Sequence, residues 1–208
     1  MKVYDCKGFP NPARVRIALA EKRMLDQVEF VQVDVPGGEH RRPEFLAKNP
    51  SGAVPVLELD DGTLISESAA ITDYLDHADG DPILTGRDAR ERAIIHMAQR
   101  KVESGLLDAV GAYFHHATSG LGPAIEIYQN RDWGLRQRDV ALATMRRLDG
   151  VLAGQDYMAG DRFTVADITA MAGLIFAGFA KIDTPAECAH LEAWRARVWS
   201  RPSAAAAA

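Results

Sequence analysis

The sequence predicts a two-domain protein in which an α/β domain precedes an all-helical domain. Strand-like and helix-like patterns alternate over residues 1–77, whereas residues 87–203 show only the spacing of amphipathic helices. Residues 78–86 between them are rich in Asp, Gly and Pro, a composition typical of a linker. The alanines at 204–208 form a tail to which the sequence assigns neither a structure nor a function.

The composition restricts the classes of function. The chain has 208 residues, of which 47% are hydrophobic and 25% charged, as in ordinary globular proteins. A net charge of −5 leaves no basic surplus to meet phosphates, so a nucleic-acid partner is not expected. No apolar run approaches the roughly 18 residues of a membrane span, so no membrane partner is expected either.

The two cysteines, Cys6 and Cys188, are too few for a disulfide framework or a cysteine metal site. No metal site is predicted, and the chain is expected to use no cofactor. The strand-like first residues do not resemble a secretory signal, and a cytoplasmic location with reduced thiols fits this composition.

The first domain opens with a strand over residues 2–6 and a helix over residues 12–23. Asn11 can cap this helix, and Pro12 suits its first position. A second strand is predicted over residues 28–34, because apolar side chains there leave the polar ones outside.

A hairpin and a further helix complete the first domain. Residues 54–59 and 63–65 are predicted strands joined by the Asp61–Gly62 turn. Ser66 can cap the next helix, which ends near His77. The polar segment of residues 37–49 before the hairpin contains at most a short helix, at residues 43–47. With that helix included, the order of elements is β-α-β-α-β-β-α, which is the order of a thioredoxin-like domain.

The second domain is predicted to contain only helices. These cover residues 87–116, 123–152, 168–180 and 188–199. Thr164 and Asp167 precede the third helix with the spacing of a capping box, in an Asp variant. That helix is apolar almost all round, so it is expected to lie buried at the centre of its domain.

Four motifs, in order and at family spacing, resemble those of cytosolic glutathione transferases. They are residues 11–22 (NPARVRIALAEK), residues 49–57 (NPSGAVPVL), residues 66–71 (SESAAI) and Gly160–Asp161 with residues 164–167. The motifs resemble, respectively, the first helix, the NPxGxVPxL stretch, the ESxAI signature and the folding motif of the helical domain. Together they extend over essentially the whole chain.

The resemblance implies an enzyme of detoxification with glutathione as its co-substrate. It would activate the glutathione thiol for attack on an apolar electrophilic small molecule. The resemblance also implies a homodimer. Two alternatives stay open, namely glutathione-dependent reduction of disulfides or peroxides and a non-catalytic module that only binds glutathione.

The resemblance also implies where glutathione binds. A cis bond between Val54 and Pro55 would let the Val54 main chain pair with the cysteinyl unit, although only about 5% of X–Pro bonds are cis. At the following helix start, Ser68 would meet the γ-glutamyl carboxylate and Glu67 the γ-glutamyl ammonium. His40 would contact the glycyl carboxylate, and Lys48 is a second candidate for the same contact. From the residues alone, Ser68, Glu67 and His40 are polar groups at a helix start or on a solvated face.

The thiol-activating position departs from the family. Family spacing places it at Phe9, which cannot donate a hydrogen bond to the thiolate. The sequence resembles a fungal and bacterial subgroup that lacks the usual Tyr, Ser or Cys and uses a water held by histidine and hydroxyl groups. This resemblance implies that His116, with Ser119 or Thr118, holds the activating water. Asn11 is the alternative thiol-activating residue, but its predicted capping role would occupy its side chain. The histidine pair can instead be only a cationic end of its helix.

Overall fold

The structure is a computed structural model that describes residues 1–207. These residues form two compact units. The first unit holds residues 1–82 and 202–207, and the second unit holds residues 83–201. The first unit contains a mixed β-sheet with helices, and the named elements of the second unit are all helical. The predicted fold class, a thioredoxin-like α/β domain followed by an all-α domain, is therefore confirmed.

Four short strands build the sheet of the first unit. They are β1 (Lys2–Asp5), β2 (Glu29–Gln32), β3 (Val56–Glu58) and β4 (Leu64–Ser66). Their order in the sheet is β2-β1-β3-β4, with β1 parallel to β2 and antiparallel to β3. Val56 lies opposite Tyr4 on one side and Ser66 on the other.

Three α-helices belong to the same unit, α1 (Pro10–Glu21), α2 (Pro43–Leu46) and α3 (Ser68–His77). Apolar side chains of β1, β3, α1 and α3 form one buried cluster. Its members include Val3, Val15, Leu19, Leu57, Ile71 and Leu75. Burial stabilises the fold by about 1.5–3 kcal/mol for each such side chain, and it holds the starts of both long helices against the sheet.

Both helix starts in this unit differ from the predicted ones. Helix α1 begins at Pro10 with Phe9 as its N-cap, and no side chain caps it, so the prediction that Asn11 is the cap is wrong. Pro10 occupies the first turn as readily as Pro12 does, because proline has the φ of a helix and needs no partner for an N–H group. Ser66 ends β4 and caps nothing, since Glu67 turns the chain into α3.

The end of the chain packs differently from the prediction, which placed residues 202–203 with the helical domain. Pro202–Ala207 form a 3₁₀-helix that contacts α1 in the first unit. The buried Ser203 hydroxyl donates to the Glu21 carboxylate at the end of α1. Residue 208, the last of the unassigned tail, lies outside the described residues.

The second unit contains α4 (Ala89–Val102), α5 (Asp108–Ala117), α6 (Arg131–Leu152), α7 (Val165–Phe179) and α8 (Ala189–Trp199). A π-helical turn joins α4 to α5, so the predicted long helix is present with a local widening. The helix start predicted at Pro123 is wrong, because α6 begins at Arg131. Asn130 caps α6 by accepting the Trp133 N–H at 3.0 Å.

The predicted capping box at the start of α7 is confirmed. Thr164 accepts the Ala166 N–H at 3.3 Å, and Asp167 accepts the Thr164 N–H at 2.9 Å. The fully buried Asp167 carboxylate also accepts from the Met158 N–H at 2.9 Å and the Trp194 Nε1–H at 2.8 Å. Burial raises the pKa of Asp167 to about 6, so the carboxylate is still mostly ionised at neutral pH.

We predict that Asp167→Ala lowers the free energy of unfolding far more than Thr164→Ala does. Three buried N–H donors lose their acceptor in the first variant, at about 1–3 kcal/mol each, whereas losing the Thr164 cap costs about 1 kcal/mol. Urea unfolding of both variants measures the difference. Equal losses, or a large loss of turnover per folded molecule in either variant, would contradict this structural role.

Candidate active site

Three chain segments meet at one end of the sheet. Tyr4, Val56 and Ser66 lie side by side on β1, β3 and β4. At this end β1 leads into α1, β4 leads into α3, and β3 begins shortly after Val54. The sheet register therefore gathers the Val54 main chain and two helix starts in the first unit.

The bond between Val54 and Pro55 is cis, as the resemblance implies. Val54 is half-buried and Pro55 is buried. Among the described residues, neither the N–H nor the C=O group of Val54 is in a hydrogen bond. Both groups are therefore available to the main chain of a bound peptide.

The start of α3 offers a site for an anion. The first N–H groups of an α-helix have no partner within the helix, and the helix dipole adds positive potential there. Ser68 is the first residue of α3 and is only 5% exposed. Glu67 precedes it with φ 68° and ψ 114°, a backbone conformation that residues other than glycine seldom adopt, while its side chain is exposed. Such conformations are often found at functional sites.

Asn11 connects the two helix starts. Its Oδ1 accepts from the Ser68 hydroxyl at 3.1 Å and from Arg14 Nη1 at 3.0 Å. Arg14 is only 1% exposed, although it lies on the buried face of α1. Since Asn11 does not cap α1, the restriction predicted for its side chain does not apply.

His40 lies in a 3₁₀ turn, Glu39–Arg41, and is only 6% exposed. The interpretation that it lies on a solvated face is therefore wrong. Its Nδ1 has no partner among the described residues. Burial, with a smaller contribution from Arg41, lowers the pKa of His40, so the imidazole is neutral at pH 7. Its contact with the glycyl carboxylate stays a prediction, and a neutral ring would make that contact as a simple hydrogen-bond donor.

The residues near the family's thiol-activating position offer no hydroxyl or reactive thiol. Phe9 has an apolar side chain, and its N–H donates to the Cys6 carbonyl at 3.1 Å. Cys6 is buried, and burial raises the pKa of its thiol. A mixed disulfide at this position, as the reductase alternative requires, has no exposed cysteine to form it.

In the second unit, the adjacent histidines at the end of α5 have different partners. His115 Nδ1 lies 2.7 Å from Glu126 Oε1, whereas His116 Nδ1 accepts the Asn130 N–H at 3.1 Å. Because its Nδ1 is an acceptor, His116 carries its proton on Nε2. His116 therefore presents an N–H donor at Nε2, whereas His115 is paired with the Glu126 carboxylate through Nδ1.

The two hydroxyl groups predicted beside His116 also differ. Thr118 Oγ1 donates to the Phe114 carbonyl at 2.6 Å and accepts the Gly120 N–H at 3.0 Å, so it stabilises the turn after α5. The Ser119 side chain is exposed and has no hydrogen bond within residues 1–207. Of the two, Ser119 is the one whose hydroxyl is available.

Arg14, Glu126 and Asn130 belong to these networks and were not identified from the sequence. Arg14 could have been noticed as an arginine three residues after Asn11 on an otherwise apolar helix face. Glu126 gives no such signal, since its contact with His115 joins residues across an irregular segment. Within residues 1–207, no helix is long and apolar enough to cross a bilayer, and no cluster of three potential metal ligands is found.

Comparison with known proteins identifies the family. Residues 10–78 match the model of the Glutathione S-transferase, N-terminal domain, and residues 113–202 match that of the Glutathione S-transferase, C-terminal domain. The chain is 58% identical to Glutathione S-transferase 2 of Saccharomyces cerevisiae over 203 residues, which are 98% of this chain and 87% of the relative. The chain belongs to the glutathione S-transferase family.

Solved structures of this family have the same fold. The crystal structure of Gtt2 from Saccharomyces cerevisiae matches with a TM-score of 0.98 at 57% identity, over 100% of both chains. A glutathione S-transferase domain-containing protein from Marinobacter aquaeolei matches with a TM-score of 0.96 at 62% identity, over 98% of this chain and 99% of the other. This transferase therefore has full-length relatives for both of its units.

Proposed function

We propose that this glutathione S-transferase family member conjugates glutathione to apolar electrophiles, and that glutathione binds to the first unit. The observation that carries the proposal is the meeting of the unpaired Val54 main chain with the start of α3 at one end of the sheet. In the reaction, the thiolate sulfur forms a bond to an electrophilic carbon. The electron pair of the broken bond goes to a leaving group or a neighbouring atom, and the thiol proton goes to solvent.

Each part of glutathione has a proposed partner in the first unit. The γ-glutamyl carboxylate binds the free N–H groups of α3 with Ser68, and the ammonium faces the Glu67 carboxylate. The cysteinyl main chain pairs with Val54, beside Pro55, as a short strand would. His40 donates to the glycyl carboxylate. The unpaired Val54 main chain and the free N–H groups at the start of α3 support the proposal.

We also propose that the chain belongs to the subgroup without the usual Tyr, Ser or Cys activator, and that His116 with Ser119 assists thiol activation through a water. Phe9 at the usual position supports the first statement. The Nε2–H donor of His116 and the unpaired Ser119 hydroxyl support the second. An alternative, glutathione binding without catalysis, would leave the thiol pKa of bound glutathione near its value in solution.

The apolar nature of the electrophile is supported by an aromatic cluster in the second unit. The Phe114 ring lies 5.4 Å from that of Phe176 and 5.6 Å from that of Phe179, which is 70% exposed. We propose that such substrates make this an enzyme of detoxification. A cytoplasmic location is proposed because both cysteines are free thiols, which reducing compartments preserve.

We expect Ser68→Ala to weaken glutathione binding by roughly tenfold or more, because the Ser68 hydroxyl is proposed to turn from Asn11 Oδ1 to the γ-glutamyl carboxylate when glutathione binds, and the variant loses that charge-assisted hydrogen bond. Isothermal titration calorimetry measures the affinity. Ser66→Ala is the matched control, since Ser66 lies in β4 and is assigned no ligand contact. Equal affinities of wild type and Ser68→Ala would show that the Ser68 hydroxyl does not bind the γ-glutamyl carboxylate.

His116→Ala should raise the thiol pKa of bound glutathione and lower kcat at neutral pH, while the affinity for glutathione changes little. The affinity comes from the first unit, whereas His116 is proposed to act on the thiol. Ultraviolet titration of the thiolate measures the pKa. His115→Ala is the control, because adjacent helical residues point in different directions. If only His115→Ala raises the pKa, the role belongs to that residue instead.

We propose that the protein is a two-fold homodimer, the commonest state of soluble homo-oligomers. Sedimentation equilibrium at micromolar concentration should therefore give twice the chain mass of 22.7 kDa. A mass of one chain at that concentration would contradict the proposal.

A further inference from the structure

The irregular segment that precedes α6 is tied to the end of α5 by a side-chain amide. Gln129 Nε2 donates to the carbonyl of His115, at 2.7 Å, and to that of Thr118, at 2.8 Å. The last carbonyls of an α-helix have no partner within the helix, so a donor at this point binds the segment to the helix end. The residue that follows Gln129 is therefore held beside α5.

That residue, Asn130, joins the two helices through both of its polar parts. Its Oδ1 caps α6 by accepting the Trp133 N–H at 3.0 Å, whereas its main-chain N–H donates to His116 Nδ1 at 3.1 Å. A donor that faces Nδ1 excludes a proton from that nitrogen. As long as Asn130 stays in place, the neutral His116 ring carries its proton on Nε2.

The adjacent histidine has the opposite arrangement. His115 Nδ1 lies 2.7 Å from the Glu126 carboxylate. An ionised carboxylate only accepts, so a neutral His115 carries its proton on Nδ1. Two neighbouring residues of α5 thus have different tautomers, and each tautomer is selected by a residue of the segment that follows the helix.

Gly134, in the first turn of α6, allows the helix start to lie this close to His116. A Cβ at Gly134 would lie 2.7 Å from Ala117 Cβ, 2.8 Å from Ala117 N and 3.0 Å from His116 Cβ. Carbon atoms in contact prefer separations of about 3.5–4.0 Å, so a side chain here would push the start of α6 away from α5. Glycine is unfavourable within a helix, and here it permits an approach that alanine would not.

We infer that the start of α6 positions His116. The Asn130 N–H selects the tautomer with the proton on Nε2, and Gly134 permits the approach that brings this N–H to the ring. The inference rests on the proposed function, in which the Nε2–H of His116 helps to hold the activating water. Asn130 and Gly134 are positioning residues that act through His116 and not on the substrate.

Gly134→Ala tests the close approach. The added methyl group should move Asn130 from the His116 ring and raise the thiol pKa of bound glutathione by about half a unit or more, while the affinity for glutathione changes by less than about twofold. Ultraviolet titration of the thiolate and isothermal titration calorimetry measure the two quantities. Gly150→Ala is the matched control, because Gly150 lies in the same helix and a Cβ there would find open space among the described residues.

Nitrogen-15 NMR of the histidine side chains measures the tautomers directly. The wild-type protein should have the proton of His116 on Nε2 and that of His115 on Nδ1. In Gly134→Ala, His116 should become a mixture of both tautomers, while His115 keeps its own because its partner is Glu126. The NMR spectrum of Gly150→Ala should be that of the wild type for both rings.

A second pair of variants tests Asn130 and keeps the inference testable if Gly134→Ala does not fold. Asn130→Ala loses the cap that fixes the start of α6 and should give the same mixture of His116 tautomers. Asn130→Ser keeps a side-chain acceptor at the N-cap, so its tautomer and thiol pKa should lie closer to those of the wild type.

A mixed His116 tautomer with a raised thiol pKa, in Gly134→Ala and in Asn130→Ala, supports the inference. A single Nε2–H tautomer in both folded variants overturns it, whatever the thiol pKa is, and leaves the proposed role of His116 intact. A mixed tautomer with an unchanged thiol pKa supports the positioning of His116 and contradicts its proposed role in thiol activation.

Discussion

The pairing of β3 with both β1 and β4 is the constraint on which the first unit depends. Because Val56 lies between Tyr4 and Ser66, the chain enters α1, leaves β4 and enters β3 at one end of the sheet. A slip of one residue in β3 would turn Leu57 from the buried cluster to the other face. The same apolar packing that fixes this register therefore fixes the positions of the groups proposed to bind glutathione.

A buried cation completes this arrangement. Arg14 lies among apolar residues of α1, an unfavourable place for a charged group unless its hydrogen bonds are satisfied. It donates to Asn11, which also accepts from Ser68. The starts of α1 and α3 are thus connected through one amide oxygen. Helix α1 begins without a side-chain cap because its N-cap residue, Phe9, has no polar side-chain atom.

Features set by neighbouring residues were predictable from the sequence. The capping box depends on contacts between Thr164 and Asp167, which are three residues apart in the sequence. The hairpin of β3 and β4 depends on the two adjacent residues of its turn, Asp61 and Gly62. The family motifs predicted Val54 and Ser68 as binding residues. The register of β3 and β4 brings both residues to one end of the sheet.

Features set by distant contacts were not predictable. Pro10 and Pro12 are locally equal as helix starts, and the contact of Asn11 with Ser68 spans 57 residues. The true start of α6 depends on Asn130, which binds both Trp133 and His116. The burial of His40 likewise depends on chain segments that its own polar neighbours do not indicate.

We propose that the first unit binds glutathione with the γ-glutamyl unit at the start of α3 and the cysteinyl main chain at Val54. A crystal structure of the protein with glutathione tests this most directly. The γ-glutamyl carboxylate should accept from the Ser68 N–H, and the cysteinyl main chain should exchange hydrogen bonds with the N–H and C=O groups of Val54. A complex in which the carboxylate is remote from α3, or the cysteinyl main chain does not pair with Val54, would contradict this assignment.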